Sequence, residues 1–221
     1  MTTFIGIDAF PAGWVAVYLE KKTHRFHYAA TTDHLLDVSY QRAMIDIPIG
    51  LPQRGYRDCD LAAKAIIGPS VFLGARWNVW GFESYEAANA HYRIVKDTCI
   101  SQQLWHLRHK LKEINETITS EIQNRLFESH PELVFWRLNR KQTLPNKKTP
   151  EGRLRRIELV EEYGISRIKE WLDQRHGTGI RRDDLIDACA CAIAARDRNP
   201  NNRLPLGDPP MERGIRMEIW Y

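Results

Sequence analysis

The sequence has few of the features that would indicate a zinc site, a disulfide scaffold or a membrane anchor. Its 221 residues include four cysteines, and no two of them form a CxxC pair. Cys189 and Cys191 lie in a stretch that is apolar on every side, which indicates reduced thiols used as small core residues. No apolar run reaches the length of a bilayer crossing, and Met1 leads almost directly into a predicted strand rather than a leader. We therefore expect a soluble, cytoplasmic protein without a membrane partner.

The charge balance and the chain length exclude little more. The formal charge of +4 is mild, so by itself it does not indicate a nucleic-acid partner. We find no internal repeat and no low-complexity segment. The length suits one domain, or one domain with a large insertion, and it is sufficient to bury a full core.

The most informative stretch is 181–196. After Asp187 it is apolar on every face until Arg196, which predicts a buried helix. Asp184 and Asp187 are three residues apart and therefore share one helix face. Asp183 is interpreted as an acid in the first turn whose negative charge interacts favourably with the helix dipole. Asp187 lies deeper, so it is expected to be solvated, hydrogen-bonded or bound to a cation.

Three further acids follow short apolar runs that read as strands. Asp8 ends the run 4–8, which forms a hairpin with 14–19, and Asp46 lies where Pro48 must end a strand. Glu128 ends the run 126–128. With a further strand at 25–30 and several predicted helices, the pattern indicates an α/β protein with a mixed sheet and helices on its faces.

The chemistry of these acids predicts a hydrolytic metal site. In open sheets the strand ends gather beside helix starts, so the acids could converge. Carboxylate oxygens suit Mg²⁺ or Mn²⁺, and two such cations can activate water against a phosphodiester. The predicted metal ligands are Asp8, Asp46, Asp184 and Asp187, and the predicted catalytic residues are these four together with Glu128.

A strongly basic segment follows the last of these strands. Arg137 to Arg156 contains eight Lys or Arg residues and one acid, which is typical either of a solvated face or of a phosphate-binding surface. From this segment we select Lys147, Lys148 and Arg153 as candidate substrate-binding residues. His130 is added because it could orient Glu128 or bind phosphate, although local hydrogen bonding is the alternative.

The pattern of apolar residues also predicts particular helices. Residues 101–126 read as one long helix, 132–138 as a shorter one, and 158–172 as another that follows a loop over 144–152. The loop 70–82 is rich in Trp and Phe. Those aromatics are interpreted as loop packing, with a base-stacking platform as the alternative.

Several motifs together resemble a known family. They are Gly6-Ile7-Asp8 with Gly13-Trp14, Ile45-Asp46-Ile47-Pro48-Ile49-Gly50-Leu51-Pro52, Arg57-x-Cys59-Asp60, Ser70-Val71-Phe72, Glu128-x-His130-Pro131-Glu132, Lys147-Lys148-Thr149 with Gly152, and Asp183-Asp184-x-x-Asp187-Ala188. The chain is similar over nearly its whole length to domain-of-unknown-function family 429, described as predicted nucleases with a ribonuclease H-like fold. The acids also resemble those of Holliday-junction resolvases, which implies Asp8, Asp46, Asp184 and Asp187 as the acidic cluster with Glu128 nearby.

The resemblance implies a ribonuclease H-like domain over 1–221, with a mixed five-stranded sheet flanked by helices and a helical insertion at about 53–124. The function we favour is a metal-dependent nuclease acting on DNA or RNA. A phosphotransfer protein of the actin-like ATPase type is an alternative, but it needs a second glycine-rich loop that the sequence does not contain. A non-catalytic nucleic-acid-binding module is the other alternative. The partners considered are nucleic acid and a second copy of the chain in a homodimer.

Overall fold

A computed structural model describes residues 2–21 and 23–221 of the chain. The strands within them are β1 (Phe4–Phe10), β2 (Gly13–Leu19), β3 (His24–Ala29), β4 (Arg42–Ile45), β5 (Leu126–Glu128), β6 (Arg203–Leu204), β7 (Met211–Glu212), β8 (Ile215–Arg216) and β9 (Ile219–Trp220). The α-helices are α1 (Asp33–Leu36), α2 (Asp58–Ile67), α3 (Tyr85–Ile94), α4 (Gln102–His106), α5 (Arg108–Thr117), α6 (Pro131–Leu138), α7 (Pro150–Glu162), α8 (Ile168–Gln174) and α9 (Arg182–Arg196).

The chain divides into two compact units. The first comprises Met1–Asp46, Arg125–Asn202 and Trp220–Tyr221, and the second comprises Ile47–Asn124 and Arg203–Ile219. The expectation of one domain with a helical insertion at about 53–124 stays a prediction. All of the candidate site residues belong to the first unit, so that unit is described in more detail.

The first unit is built on a five-stranded mixed sheet in the order β3-β2-β1-β4-β5. β1 pairs antiparallel with β2, and β2 with β3. β1 pairs parallel with β4, and β4 with β5. Helix α9 packs on β1, β2 and β4, and α6, α7 and α8 pack beside α9. The predicted α/β class, with a mixed five-stranded sheet and flanking helices, is confirmed.

Helix α9 is the buried helix that the sequence predicts. Every residue from Leu185 to Ala195 is buried. The helix approaches β1 so closely that a Cβ added at Gly6 would lie 2.0 Å from the backbone nitrogen of Ala192 and 2.1 Å from the carbonyl oxygen of Ala188. Position 6 therefore has no room for a side chain.

The second unit contains α2–α5, and buried polar side chains fix the loop with which it begins. The side-chain oxygen of Asn115 accepts the backbone N–H of Gly50 at 3.0 Å, and its amide donates to the carbonyl oxygen of Pro48 at 2.8 Å. Arg57 donates to the carbonyl oxygen of Ile49 at 3.1 Å. These bonds satisfy a proline-containing segment that cannot pair as a strand.

Two of the predicted helices are wrong in their limits. The helix expected over 101–126 is divided at Leu107, whose N–H donates to the carbonyl oxygens of both Gln103 and Leu104. Leu104 and Leu111 are buried on either side of the division, so apolar spacing alone did not reveal it. The helix expected to begin near 158 begins at Pro150, because Thr149 caps it by accepting the N–H of Gly152 at 3.1 Å.

Within residues 2–21 and 23–221, no helix combines the length and the apolar character that a bilayer crossing requires.

Candidate functional site

Asp8 and Asp46 occupy equivalent positions on neighbouring parallel strands. Ile7 of β1 lies opposite Ile45 of β4, and the N–H of Asp46 donates to the carbonyl oxygen of Ile7 at 2.9 Å. Asp8, within β1, and Asp46, immediately after the end of β4, are therefore neighbours. Because side chains alternate along a strand, Asp8 leaves the sheet on the same face as Gly6, which is the face covered by α9.

Helix α9 brings Asp187 to the same place. Asp8 is 8 % exposed and Asp187 is 5 % exposed, so both carboxyl groups are removed from water. The pKa of Asp8 is raised well above its usual value, first by burial and then by the charges of Asp46, Asp187 and Asp184. The predicted convergence of acids from two strands and one helix is therefore present for Asp8, Asp46 and Asp187.

The other two carboxyls of this group also have raised pKa values. Burial raises the pKa of Asp46 to about 7, with Lys147 opposing the shift and Glu132 adding to it. Burial likewise raises the pKa of Asp187 to about 7, opposed by Lys147 and increased by Asp46 and Glu132. We call Asp8, Asp46 and Asp187 the acidic cluster.

A lysine enters the acidic cluster. Nζ of Lys147 lies 3.0 Å from Oδ2 of Asp187, and this contact combines a hydrogen bond with an ion pair. The pKa of Lys147 is raised, chiefly by Asp187. The sequence predicted Lys147 as a phosphate-binding residue and did not predict that it pairs with a candidate metal ligand.

The loop that carries Lys147 is held on both sides. The carbonyl oxygen of Asn146 accepts from Oγ1 of Thr149 at 2.8 Å, and its side-chain oxygen accepts the N–H of Lys148 at 2.9 Å. A Cβ at Gly152 would lie 2.1 Å from the carbonyl oxygen of Asn146, so the start of α7 packs directly against the loop. The position of Lys147 is therefore fixed by its neighbours as well as by Asp187.

Arg156 connects this loop to α6. Its Nε lies 3.1 Å from Oε1 of Glu132, its Nη2 lies 2.6 Å from Oε2, and the arginine is 4 % exposed. Its Nη1 donates to the carbonyl oxygens of Pro145 at 2.9 Å and Gly152 at 2.8 Å. The sequence did not identify Glu132 or Arg156 as a pair. The signal available was Glu132 in the first turn of a helix with Pro131 at its start.

Asp184 lies beside the acidic cluster and also caps α9. Its Oδ2 accepts the N–H of Arg181 at 2.7 Å, which satisfies one of the unpaired donors of the helix start. Burial is the main cause of its raised pKa, and the hydrogen bond from Arg181 opposes it. Asp184 is half-buried, so part of its role is structural.

The remaining predicted site residues lie elsewhere. Glu128 is opposite Ile45 in the parallel ladder, so its side chain leaves the sheet on the face opposite to that of Asp46. His130 precedes the first turn of α6. Lys148 is exposed beside Lys147, and Arg153 is half-buried in the first turns of α7.

The donor set of the acidic cluster suits a hard divalent cation. Within residues 2–21 and 23–221, no three His, Cys, Asp or Glu side chains are arranged so that they could hold a metal ion as they stand. The chemistry of the group still fits Mg²⁺ or Mn²⁺, because its three carboxylates are mutually repelling and face one ammonium group. The three carboxylates are expected to approach one another closely only when a bound cation offsets the repulsion between them.

Comparisons with known proteins identify the family. Neither a search of curated proteins nor a search of solved structures found a significant match to this chain. One family, described as "Protein of unknown function (DUF429)", matches residues 6–212, which include the acidic cluster, Lys147 and the Glu132–Arg156 pair. The chain is therefore a member of this family.

Proposed function

We propose that this protein is a metal-dependent phosphodiesterase that hydrolyses nucleic acid and has a ribonuclease H-like fold. One observation carries the proposal: the charges of Asp46 and Asp187 both act on Asp8, and burial raises the pKa of all three, with the charges of neighbouring acids adding to each shift. Such an arrangement costs stability unless a cation binds to it. Clusters of groups with perturbed pKa values are also typical of functional sites.

The carboxylates of Asp8, Asp46 and Asp187 would hold Mg²⁺ or Mn²⁺. The bound cation would supply the positive charge that activates water and stabilises the leaving oxygen of a phosphodiester. Asp184 stabilises the start of α9 and so positions Asp187 one turn further along the helix. Arg156 holds Glu132 and the carbonyl oxygen of Pro145, and so positions the loop that presents Lys147.

The fold supports the same proposal. The mixed five-stranded sheet flanked by helices is the architecture that the resemblance to ribonuclease H-like proteins implies. Asp8 and Asp46 come from its two central parallel strands, and Asp187 comes from the helix that crosses them. In α/β proteins ligand sites form at the carboxyl ends of the parallel strands, and Asp46 lies at such an end.

Nucleic acid is proposed as the substrate because of the basic segment beside the acidic cluster. Not every charge in that segment is available to a phosphate. Arg155 is paired with Glu158 at 3.2 Å and with Glu162 at 2.8 Å, and Arg156 is paired with Glu132. Lys148, which is exposed, and Arg153 remain the candidates for phosphate contact.

The proposal is tested by hydrolysis of labelled polymers. Purified protein is incubated with single-stranded DNA, duplex DNA, a four-way junction and RNA in the presence of Mg²⁺ or Mn²⁺, with chelator as the blank. We expect cleavage of at least one polymer, and its loss in Asp8→Asn and Asp46→Asn. Asp173→Asn is the matched control, because Asp173 is exposed on α8.

Two outcomes contradict the proposal. Cleavage that persists in Asp8→Asn would show that the acidic cluster does not carry the activity. Binding of a polymer without cleavage, unchanged in both variants, would favour a non-catalytic nucleic-acid-binding module. Light scattering of the same samples tests the predicted homodimer.

A further inference from the structure

The ammonium group of Lys147 binds a carboxylate that a two-metal site in the acidic cluster would have to share between its cations. It lies 3.0 Å from Oδ2 of Asp187, which is 5 % exposed. The charges of Asp187, Glu132 and Asp46 all act on it. In two-metal sites the cations are about 3.5–4 Å apart and share carboxylates, so a carboxylate already bound to an ammonium has less to offer a second metal.

The charges in and around the acidic cluster show how much negative charge a bound cation would have to neutralise. Asp8, Asp46 and Asp187 bring three carboxylates, and Lys147 brings one positive charge. Glu132 adds no unmatched negative charge, because Arg156 donates hydrogen bonds to both of its carboxylate oxygens. Asp184 also acts on Asp8, but its carboxylate accepts the N–H of Arg181 and the charge of Arg181 acts on it. Among the three residues of the acidic cluster two negative charges are therefore unmatched, and one divalent cation balances them.

The attachment of Lys147 indicates that this ammonium is a permanent part of the site. On its amino side, the carbonyl oxygen of Asn146 accepts from Thr149 and lies against Gly152, and Arg156 binds the carbonyl oxygen of Pro145. These bonds do not involve the Lys147 side chain, so they hold the backbone that carries the ammonium group whether or not the pair with Asp187 has formed.

We propose that Lys147 replaces one of the two cations of a two-metal site, so that each chain binds a single divalent cation. This inference rests on the proposed function, since it concerns the same acidic cluster. It makes Lys147 a positioning residue for the cation and assigns phosphate contact to its neighbour Lys148. It also predicts that removal of the ammonium opens the second position.

The test counts Mn²⁺ ions per chain without reference to activity. Wild type, Lys147→Met and the control Lys148→Met are titrated with Mn²⁺ by calorimetry, and each complex is examined by low-temperature electron paramagnetic resonance. Methionine keeps an unbranched stem and removes the charge. We expect one Mn²⁺ and an isolated-ion spectrum for wild type and Lys148→Met. For Lys147→Met we expect a second Mn²⁺ that binds at least about tenfold more tightly than any second ion in wild type, with a spin-coupled spectrum.

The possible failures of the two proposals differ. Two coupled Mn²⁺ ions in wild type would overturn the inference and leave the proposed function standing, and this result needs no variant to fold. One Mn²⁺ with unchanged affinity in folded Lys147→Met would also overturn it. Lys147→Gln is the second variant if the methionine variant does not fold. No Mn²⁺ bound to wild type at millimolar concentration would remove the proposed function and the inference with it.

Discussion

Asp46 donates its backbone N–H to the carbonyl oxygen of Ile7 at 2.9 Å, and this bond places it beside Asp8 on the neighbouring strand. The backbone ladder therefore holds the two residues side by side, whatever the charge of their carboxyl groups. Burial, and then the charge of Asp46, raises the pKa of Asp8. The stability of the metal-free protein is expected to depend on pH for this reason.

The first prediction is that Asp46→Asn stabilises the metal-free protein near neutral pH. Burial raises the pKa of Asp46 to about 7 from an unfolded value of 3.8. Between these values the folded state binds more protons than the unfolded state, so the contribution of Asp46 to stability falls as pH rises and is lowest above about pH 7. Asparagine does not ionise and so removes this loss of stability. We expect the free energy of unfolding to rise by about 1–3 kcal/mol at pH 8 and to change little at pH 4.

Thermal unfolding in chelator at several pH values measures this effect, with Asp173→Asn as the control. In saturating Mg²⁺ the order should reverse, because the variant loses a ligand and with it the stabilisation by the bound ion. A variant less stable than wild type at every pH in chelator would mean that Asp46 makes favourable contacts which outweigh the repulsion.

The second prediction concerns the contact between β1 and α9. Gly6→Ala would place a methyl group 2.0 Å from the backbone nitrogen of Ala192, and a helix backbone cannot move aside as a side chain can. We expect the free energy of unfolding to fall by about 3 kcal/mol or more, which is at the upper end of the effects of overpacking a core. Gly81→Ala is the control, since an added Cβ there meets no atom within 4 Å. Denaturant unfolding of both variants decides the point, and equal stabilities would show that α9 does not lie against Gly6.

The third prediction concerns Arg156. Arg156→Met removes the guanidinium group that binds both carboxylate oxygens of Glu132. The Glu132 carboxylate and the carbonyl oxygen of Pro145 then lose the hydrogen bonds that Arg156 donates to them. Breaking a buried pair on one side costs about 3–5 kcal/mol, so we expect a comparable fall in the free energy of unfolding. We also expect faster hydrogen exchange in the loop 144–149.

Arg167→Met is the matched control for Arg156. Its pair with Glu170 has the same geometry but is exposed, and such pairs contribute little to stability. A similar loss in both variants would mean that burial of the Arg156 pair has no special effect.

The fourth prediction concerns the thiols. Cys99 is exposed, whereas Cys59, Cys189 and Cys191 are buried. Burial also raises the pKa of Cys191 well above its usual value, which lowers its reactivity further. In the native state one thiol per chain should react rapidly with a disulfide reagent, and all four should react after unfolding. Cys99→Ser should abolish the rapid phase, and a rapid phase that survives this change would show that another cysteine is accessible.

The elements that carry Asp8 and Asp187, and the strand that ends just before Asp46, could be predicted from local sequence. Asp8 and Asp46 follow short apolar runs, and Asp187 lies at the start of an apolar helix, so each could be placed on its own element. Their meeting was expected because strand ends and helix starts gather in open sheets. The structure adds the register that puts Asp8 and Asp46 side by side.

What the sequence could not provide depends on pairing between distant elements. Leu126, Phe127 and Glu128 are all buried, so no alternation of polar and apolar residues revealed which face Glu128 occupies. The register with Ile45 decides this, and a shift by one residue would reverse it. The pairing of Lys147 with Asp187 spans forty positions, and nothing in the basic segment distinguishes Lys147 from Lys148.

Neighbouring strands β4 and β5 are separated in the chain by the whole of Ile47–Asn124. A growing polypeptide therefore carries β4 as an unprotected edge until Leu126–Glu128 has been synthesised, and unprotected edges invite pairing with other chains. Asp187, the last residue of the acidic cluster, emerges later still. A prematurely terminated product that stops before residue 126 would thus contain four strands of the sheet with β4 as an open edge, and it would be prone to pair with other chains and aggregate.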